Sequence, residues 1–364
     1  MKKFMVVLMM LFVVGIFSLD SKKREPRPSV TSYKMADGIF KPFVHDYVNM
    51  LVCKSIPDDE PYLGQKPPGM MPEVFAPGII SKGFHELNIS ISPKGDEIFY
   101  VTSDRDYKLY NIIQLKKVNN QWMPPEVAPF SGFHIDNSLC FDADGNRLFF
   151  RSKRPPGGTG VNRNDGNFWV VEKTEGGWSP PVMLEGPVNT EKNELALSVA
   201  ANDTIYFSAV YEPAHGGDIY YSKRKNGKYM LPEKLDWGIS TKHGEGRPFI
   251  SPDENYLLFQ SDRPGSLGQN DIYVSFKKHD GSWGEPKNLG TPVNSEASDF
   301  APSVSPDGKY LFFSSYRTMN PKNFQGKTYQ ELMSLYLDPR NGYATLFWVD
   351  AKIIDNARTK MTGK

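Results

Sequence analysis

The chain has 364 residues, and its 43 Lys and Arg against 42 Asp and Glu give a formal net charge of +1. So balanced a charge creates no broad positive field, which argues against nucleic acid as the main partner. Aromatic residues make up 13% of the sequence, and 31 Gly and 29 Pro are interspersed with them. Because aromatic residues interleaved with turn formers favour short strands over long helices, we expect an all-β fold.

The first residues have the pattern of an export signal. Lys2 and Lys3 precede an apolar run over residues 4–17. A run of this length fits a signal peptide better than a membrane-spanning helix, which needs roughly 20 residues. We therefore predict a signal peptide over residues 1–19 and a periplasmic or secreted protein. An uncleaved signal anchor is the alternative, because no clear pattern of small residues marks a cleavage site.

A leader segment over residues 20–70 follows, and we expect it to be irregular in structure. After it, five segments share one hairpin pattern: an acid, an apolar strand, a turn and an aromatic-rich strand. In the fifth copy the turn is Ser305-Pro306-Asp307-Gly308, where Pro presets φ and Gly tolerates a positive φ. The leading acids recur every 50 to 58 residues and are Glu86, Asp136, Glu194, Glu245 and Asp299.

Two further strands follow each hairpin. In the fourth copy these are a strand at residues 271–273 and, beyond the Asp280-Gly281 turn, an outer strand opened by Trp283 and Pro286. Four strands with a period of about 50 residues are typical of a β-propeller blade.

The fifth copy lacks its outer strand, whereas residues 71–81, ahead of the first copy, match one. We therefore predict five four-stranded blades over residues 71–355, closed by the N-terminal strand, with six blades as the alternative. A charged tail over residues 356–364 completes the chain. An insertion at residues 316–344 departs from the repeat, and residues 328–334 within it favour a short helix.

The repeat is similar to that of a known family. The Ser-Pro-Asp-Gly turn, Ser261-Asp262-Arg263 and Asp271-Ile272-Tyr273 resemble the WD-like, TolB-type β-propeller repeats of bacterial exported proteins. The resemblance covers roughly residues 70–355. It implies a fold and not an activity, because members of this family serve as interaction scaffolds, sensors or sugar-polymer enzymes.

The leading acids are the candidate functional residues, since fivefold repetition places them around one mouth of the central channel. Carboxylates suit a divalent cation or shared protons, although no metal-ligand spacing is present and we predict no cofactor. The candidate ligand-binding ring consists of Glu86, Asp136, Glu194, Glu245 and Asp299, with His85, His134 and His243.

A structural interpretation competes with this one. A residue type that recurs in every blade usually serves the blade, and arginines lie near the ends of the second strands. Ion pairs with them would engage the acids, and a turn over residues 142–145 would set Asp136 opposite Arg151. The arginines in question are Arg151, Arg154, Arg263 and Arg317.

We predict a binding or scaffold protein that holds a protein or glycan at one mouth of the propeller. The alternative is a carbohydrate-active hydrolase or lyase, because five-bladed glycosidases of the arabinanase type, similar in architecture, use acids from inner strands. An enzyme needs unpaired carboxylates in unequal environments, whereas a scaffold needs only satisfied ones. The five near-equivalent acids favour the scaffold.

Overall fold

The computed structural model describes residue 56 and residues 61–211, 216–319 and 326–362. The predicted signal peptide over residues 1–19 and most of the leader over residues 20–70 lie outside this part of the chain. The described residues form a five-bladed β-propeller with no sixth blade, which confirms the predicted fold class. Among the same residues, no helix is long and apolar enough to cross a membrane.

Three strands of each blade follow one another as antiparallel neighbours. The first strands, nearest the channel, are β2 (His85–Ile91), β7 (Asp136–Phe141), β12 (Asn193–Val199), β18 (Glu245–Ile250) and β22 (Asp299–Val304). The second strands are β3 (Glu97–Ser103), β8 (Arg147–Ser152), β13 (Ile205–Val210), β19 (Tyr256–Ser261) and β23 (Tyr310–Ser315). The third strands are β4 (Tyr110–Val118), β9 (Asn167–Thr174), β14 (Asp218–Ser222), β20 (Asp271–Phe276) and β24 (Thr345–Asp350).

The outer strands are very short. They are β1 (Glu73–Val74), β6 (Glu126–Val127), β11 (Val182–Met183), β17 (Glu233–Lys234) and β21 (Lys287–Asn288). In three blades, the aromatic residue expected to open the outer strand lies in a separate two-residue strand before it, which is part of a hairpin. The proline between these two short strands has no N–H, so the ladder cannot continue from one to the other. The strands of these hairpins are β5 (Gln121–Trp122), β10 (Gly177–Trp178), β15 (Arg224–Lys225) and β16 (Lys228–Tyr229).

The ring is closed by the N-terminal strand, as predicted. In β1, Glu73 pairs with Trp348 of β24, and the Phe75 N–H donates to the Leu346 carbonyl at 2.8 Å. The first strands also contact one another around the channel, in the circular order β2, β7, β12, β18, β22 and back to β2. Each blade still has an outer edge, and the ring leaves these edges separate and short.

The apolar core is divided among the blade interfaces. Five clusters of buried side chains join neighbouring blades. In the cluster that closes the ring, Phe75 and Trp348 of the last blade pack with Ile89 of the first. Each such buried side chain contributes about 1.5–3 kcal/mol relative to its exposed state, so closure is stabilised by burial as well as by pairing.

Two α-helices accompany the propeller within the described ranges. Helix α1 (Tyr329–Tyr336) lies in the insertion at residues 316–344, where a helix was expected, and a capping box between Thr328 and Glu331 fixes its start. Helix α2 (Lys352–Thr362) extends into the expected charged tail. It contacts the fourth blade, where Arg358 lies 4.5 Å from the centre of the Phe276 ring. A short 3-10 turn (Pro61–Gly64) precedes β1.

Candidate functional site

The five leading acids are buried at the start of the first strands. Their exposed fractions are between 0% and 2%. Each carboxylate accepts hydrogen bonds from the loop that enters its own strand. Glu245 accepts from the Thr241 N–H and hydroxyl at 2.7 and 2.8 Å, and Asp299 accepts from the Ser295 N–H and hydroxyl at 2.7 Å each. The acids therefore fix the entry loops of the blades.

Three of the acids also form buried ion pairs within their blades. Asp136 pairs with Arg154 at 2.8 Å, Glu245 with Arg263 at 3.2 Å, and Asp299 with Arg317 at 3.0 Å. The guanidinium groups lie over aromatic rings of the second and third strands and donate to loop carbonyls. These contacts give each pair the extra hydrogen bonds that a buried charge requires.

Asp136 does not lie opposite Arg151 as predicted. The turn spans residues 142–147, and a bulge between Asn137 and Cys140 shifts the register, so that Asp136 lies opposite Ser152. Arg154, two residues further along the chain, reaches the carboxylate. An ion pair of Asp136 within its blade was expected, but the residue predicted to lie opposite was Arg151, whereas the partner is Arg154.

Glu86 and Glu194 differ from the other three acids. Where the other blades have the paired arginine, the first blade has Asp104 and the third has Tyr211, as the strand registers show. One oxygen of each carboxylate, Oε2, has no hydrogen bond to any described residue. Burial raises the pKa of Glu86 to about 8 and that of Glu194 to about 7. The acids are therefore of two kinds, which the repeat pattern concealed.

The three histidines do not form one group with the acids. His85 is buried, its Nδ1 accepts from the Ala344 N–H at 3.0 Å, and burial lowers its pKa. His134 contacts the loop at residues 158–162 through Asn162 and the Gly158 carbonyl. His243 is half-buried beside the entry loop of β18. Among the described residues, no three acids, histidines or cysteines are arranged to hold a metal ion.

The first strands bulge where they pass the channel. Each ladder between first and second strand shifts register one to three residues after the acid. In four blades the residue two after the acid has a positive φ although it is not glycine, a conformation that costs of order 1–3 kcal/mol. These residues are Asn88 (33°), Ser138 (51°), Arg247 (48°) and Ala301 (51°).

The bulges of the second, third and fourth blades border a cavity of about 350 Å³, with a wall of mixed polarity, at the end of the channel where the first strands begin. Serines, glycines and a few aliphatic residues complete its wall. We call it the arginine cavity, and its defining side chains are Tyr110, Asn137, Arg151, Arg247, Gln260 and Asn270. Glu245 borders the cavity, but its side chain has no exposed surface.

Arg247 is the most unusual residue of the arginine cavity. Its guanidinium lies 5.3 Å from the centre of the Phe300 ring. Tyr107, Tyr110 and Tyr316 surround it, and burial lowers its pKa. Among the described residues, its side chain has no hydrogen bond and no ion pair. A cation placed in this way has its donors available for a ligand.

Arg151 provides a second cation, and it forms no ion pair with any carboxylate in the part of the chain that the structure describes. It donates to the Glu194 carbonyl and to the side chains of Asn193 (2.8 Å) and Asn137 (3.5 Å). Burial and the nearby charge of Arg247 lower its pKa. Two guanidinium groups that repel each other make an environment that favours an anion.

Gly166 leaves room for Arg151. A Cβ atom at this position would come within 2.3 Å of the guanidinium carbon. We expect Gly166→Ala to displace Arg151 from the Glu194 carbonyl and to lower the free energy of unfolding by about 1–3 kcal/mol. Gly176→Ala is the matched control, because nothing lies within 4 Å of its Cβ position. Urea unfolding of both variants tests this, and equal stability of the two would contradict the contact.

A second cavity of about 350 Å³ lies at the other end of the first strands. The Ser-Pro turns and their flanking residues line it, among them Pro93, Phe141, Pro252 and Pro306. It contains no arginine, lysine or histidine. The two ends of the channel therefore differ in chemistry, and the charged side chains are concentrated at the end with the acids.

The sequence interpretation missed Arg247. The signal was present in the aligned copies, where the residue two after the acid is Asn88, Ser138, Ala196 or Ala301 in the other blades. The other four copies have a small residue at this position, so the blade structure does not require the arginine. Gln260 and Asn270 carry no such signal, because only the folded ring brings them to Arg247.

No protein-family model matches the sequence, and no curated protein matches it. Among solved structures, TolB from Acinetobacter baumannii is similar, with a TM-score of 0.43 and 14% identity over 74% of this chain. The match spans 57% of the TolB chain, less than two thirds of its length.

Two further comparisons of similar quality are enzymes by their names. The GH43 endo-arabinanase from Bacillus licheniformis has a TM-score of 0.44 and 12% identity, covering 74% of this chain and 95% of that one. The α-L-arabinofuranosidase from Lactobacillus brevis has a TM-score of 0.42 and 13% identity, covering 74% and 90%. At these values the likeness concerns the propeller fold alone.

Proposed function

We propose that this chain is a binding protein whose ligand enters the propeller at the arginine cavity. One observation carries the proposal. The leading acids are buried and bonded to their own blades, whereas Arg247 lines the cavity and its guanidinium has no hydrogen-bond or ion-pair partner among the described residues. In this proposal the acids stabilise the blades, and side chains of the bulged first strands bind the ligand.

The site of action follows from the sequence. Residues 1–19 have the pattern of a signal peptide, so we place the protein in the periplasm or outside the cell. The ligand is then a protein or a glycan of that compartment. A channel mouth of this kind suits recognition, because most of its defining side chains are held by strands.

The alternative function is that of a hydrolase or lyase. Glu86 and Glu194 favour it in one respect, because their environments differ from those of the three paired acids. An acid and a base in unequal environments are what such an enzyme needs. However, their exposed fractions are 2% and 0%, so neither reaches a ligand in the channel without movement of its entry loop.

Binding and turnover are separated by one experiment. The purified chain is titrated calorimetrically with a panel of oligosaccharides and peptides, and each mixture is then analysed for products by mass spectrometry. We expect saturable binding with the ligand recovered intact, and the same affinity in Glu194→Gln. Product formation that disappears in a folded Glu194→Gln or Glu86→Gln variant would overturn the binding proposal in favour of the enzyme.

A further inference from the structure

We infer that the arginine cavity takes an acidic sugar, a uronic acid at the end of or within a glycan. This inference rests on the proposed function and specifies its ligand. A uronic acid combines one carboxylate with several hydroxyls on a compact ring. The cavity offers a matching partner for each of these three features.

The carboxylate is matched by Arg247. Its guanidinium has no ion pair among the described residues, and it lies among aromatic side chains. Burial raises the pKa of Tyr107 and Tyr110, so their hydroxyls stay protonated. A planar guanidinium binds a carboxylate through two parallel hydrogen bonds, which a lysine would not do.

The two carboxylates that act on the charge of Arg151 are also bonded to other groups. Asp165 is paired with Arg163 at 2.6 Å, and the Glu194 carboxyl is bonded to Thr190. Arg151 itself is held by a carbonyl and by side-chain amides. It therefore adds positive potential behind Arg247 and strengthens the preference for an anion.

The hydroxyls are matched by the amide side chains. Gln260 Oε1 is buried and accepts no hydrogen bond from any described residue. Its Nε2 donates weakly to Asn270 Oδ1 at 3.5 Å. A buried acceptor without a partner costs free energy. The Oε1 atom has almost no exposed surface, so the Gln260 amide must turn toward the cavity before a sugar hydroxyl can donate to it and remove that cost. Chloride, sulfate and acetate have no such donor, so this atom argues for a hydroxylated ligand.

The size and the walls of the cavity also suit a sugar. Its volume of about 350 Å³ is near the lower end of the range for small-molecule sites. A peptide carboxyl terminus would bring its own apolar side chain, which needs an apolar subsite. The cavity wall is instead mostly amides, glycines and serines, with Leu195 and Val210 as its larger aliphatic residues.

Calorimetric titration at neutral pH tests the inference. The probes are a galacturonic acid trimer, a glucuronic acid trimer, the neutral galactose trimer, sodium acetate, and a tripeptide with a free or an amidated carboxyl terminus. We expect at least one uronic acid trimer to bind about tenfold or more tightly than the neutral trimer, as loss of a charge-assisted hydrogen bond predicts. Acetate should bind far more weakly than the trimer.

Two variants locate the site. Arg247→Asn removes the guanidinium and suits the positive φ of this position, so we expect it to fold and to lose the preference for the acidic trimer. Gln260→Leu should weaken both trimers and leave acetate unaffected. Lys225→Asn is the matched control, because it removes one exposed cation from the remote hairpin of β15 and β16 and should bind like the parent.

The outcomes separate this inference from the proposed function. Acetate binding as tightly as the trimers, or a preference for the tripeptide with a free carboxyl terminus, would overturn the acidic sugar. Binding of a neutral glycan that Arg247→Asn does not change would also overturn it, but would leave a binding function intact. Cleavage of a probe would overturn the proposed function as well.

Discussion

Asp136→Ala is expected to lower the free energy of unfolding by about 3–5 kcal/mol, because it leaves the Arg154 guanidinium buried without its counter-charge. The side chain of Asp136 has no exposed surface, and that of Arg154 is 5% exposed. The substitution also removes the acceptor of the Ser131 hydroxyl at 2.8 Å. Urea unfolding followed by circular dichroism measures the change.

Asp144→Ala is the control for this prediction. Asp144 is an exposed acid in the turn of the same blade, and its loss should change stability by about 0.5 kcal/mol or less. If Asp136→Ala were as stable as Asp144→Ala, the acids would not be holding the blades. The ring of carboxylates would then have to be reconsidered as a ligand site.

Glu86→Gln is expected to change how stability depends on pH. The native pKa of Glu86, about 8, lies above the unfolded value of 4.5, so the native state binds more protons than the unfolded state between these limits. The parent therefore loses stability as the pH rises from about 5 to about 8. Glutamine does not titrate, so we expect the variant to gain about 2–4 kcal/mol relative to the parent over this window.

The measurement is a series of urea unfolding curves from pH 5 to pH 8. Glu285→Gln, which removes an exposed carboxylate in the fourth blade, is the matched control and should follow the parent. Parallel profiles for Glu86→Gln and the parent would show that this carboxyl is ionised in the native protein. That result would remove the distinction between Glu86 and the paired acids.

The fold was predictable because every blade repeats the same local chemistry. Turn sequences such as Ser305-Pro306-Asp307-Gly308 and the aromatic second strands predict hairpins. Residues 71–81 match the missing outer strand. The length of the outer strands was less predictable. Prolines interrupt their ladders, and only the pairing in the folded sheet shows that two residues remain.

The site was predictable only in part, since repetition indicates what the blades share. The repeat pattern predicted that each acid lies at the start of a first strand, and the structure has the acids at these positions. It did not reveal that a bulge follows each acid, because a bulge depends on the register with the second strand. For the same reason, the cavity formed by Arg247 and Gln260 was not visible in the sequence.

We propose that the acids stabilise the fold and that the arginine cavity binds the ligand. The most direct test is the ligand-induced change in melting temperature of the parent, Arg247→Asn and Glu194→Gln, measured with the probe that the parent binds best. We predict that the shift survives in Glu194→Gln and disappears in Arg247→Asn, with both variants folded. A shift that survives in Arg247→Asn and disappears in Glu194→Gln would contradict this assignment and would indicate that the acids bind the ligand.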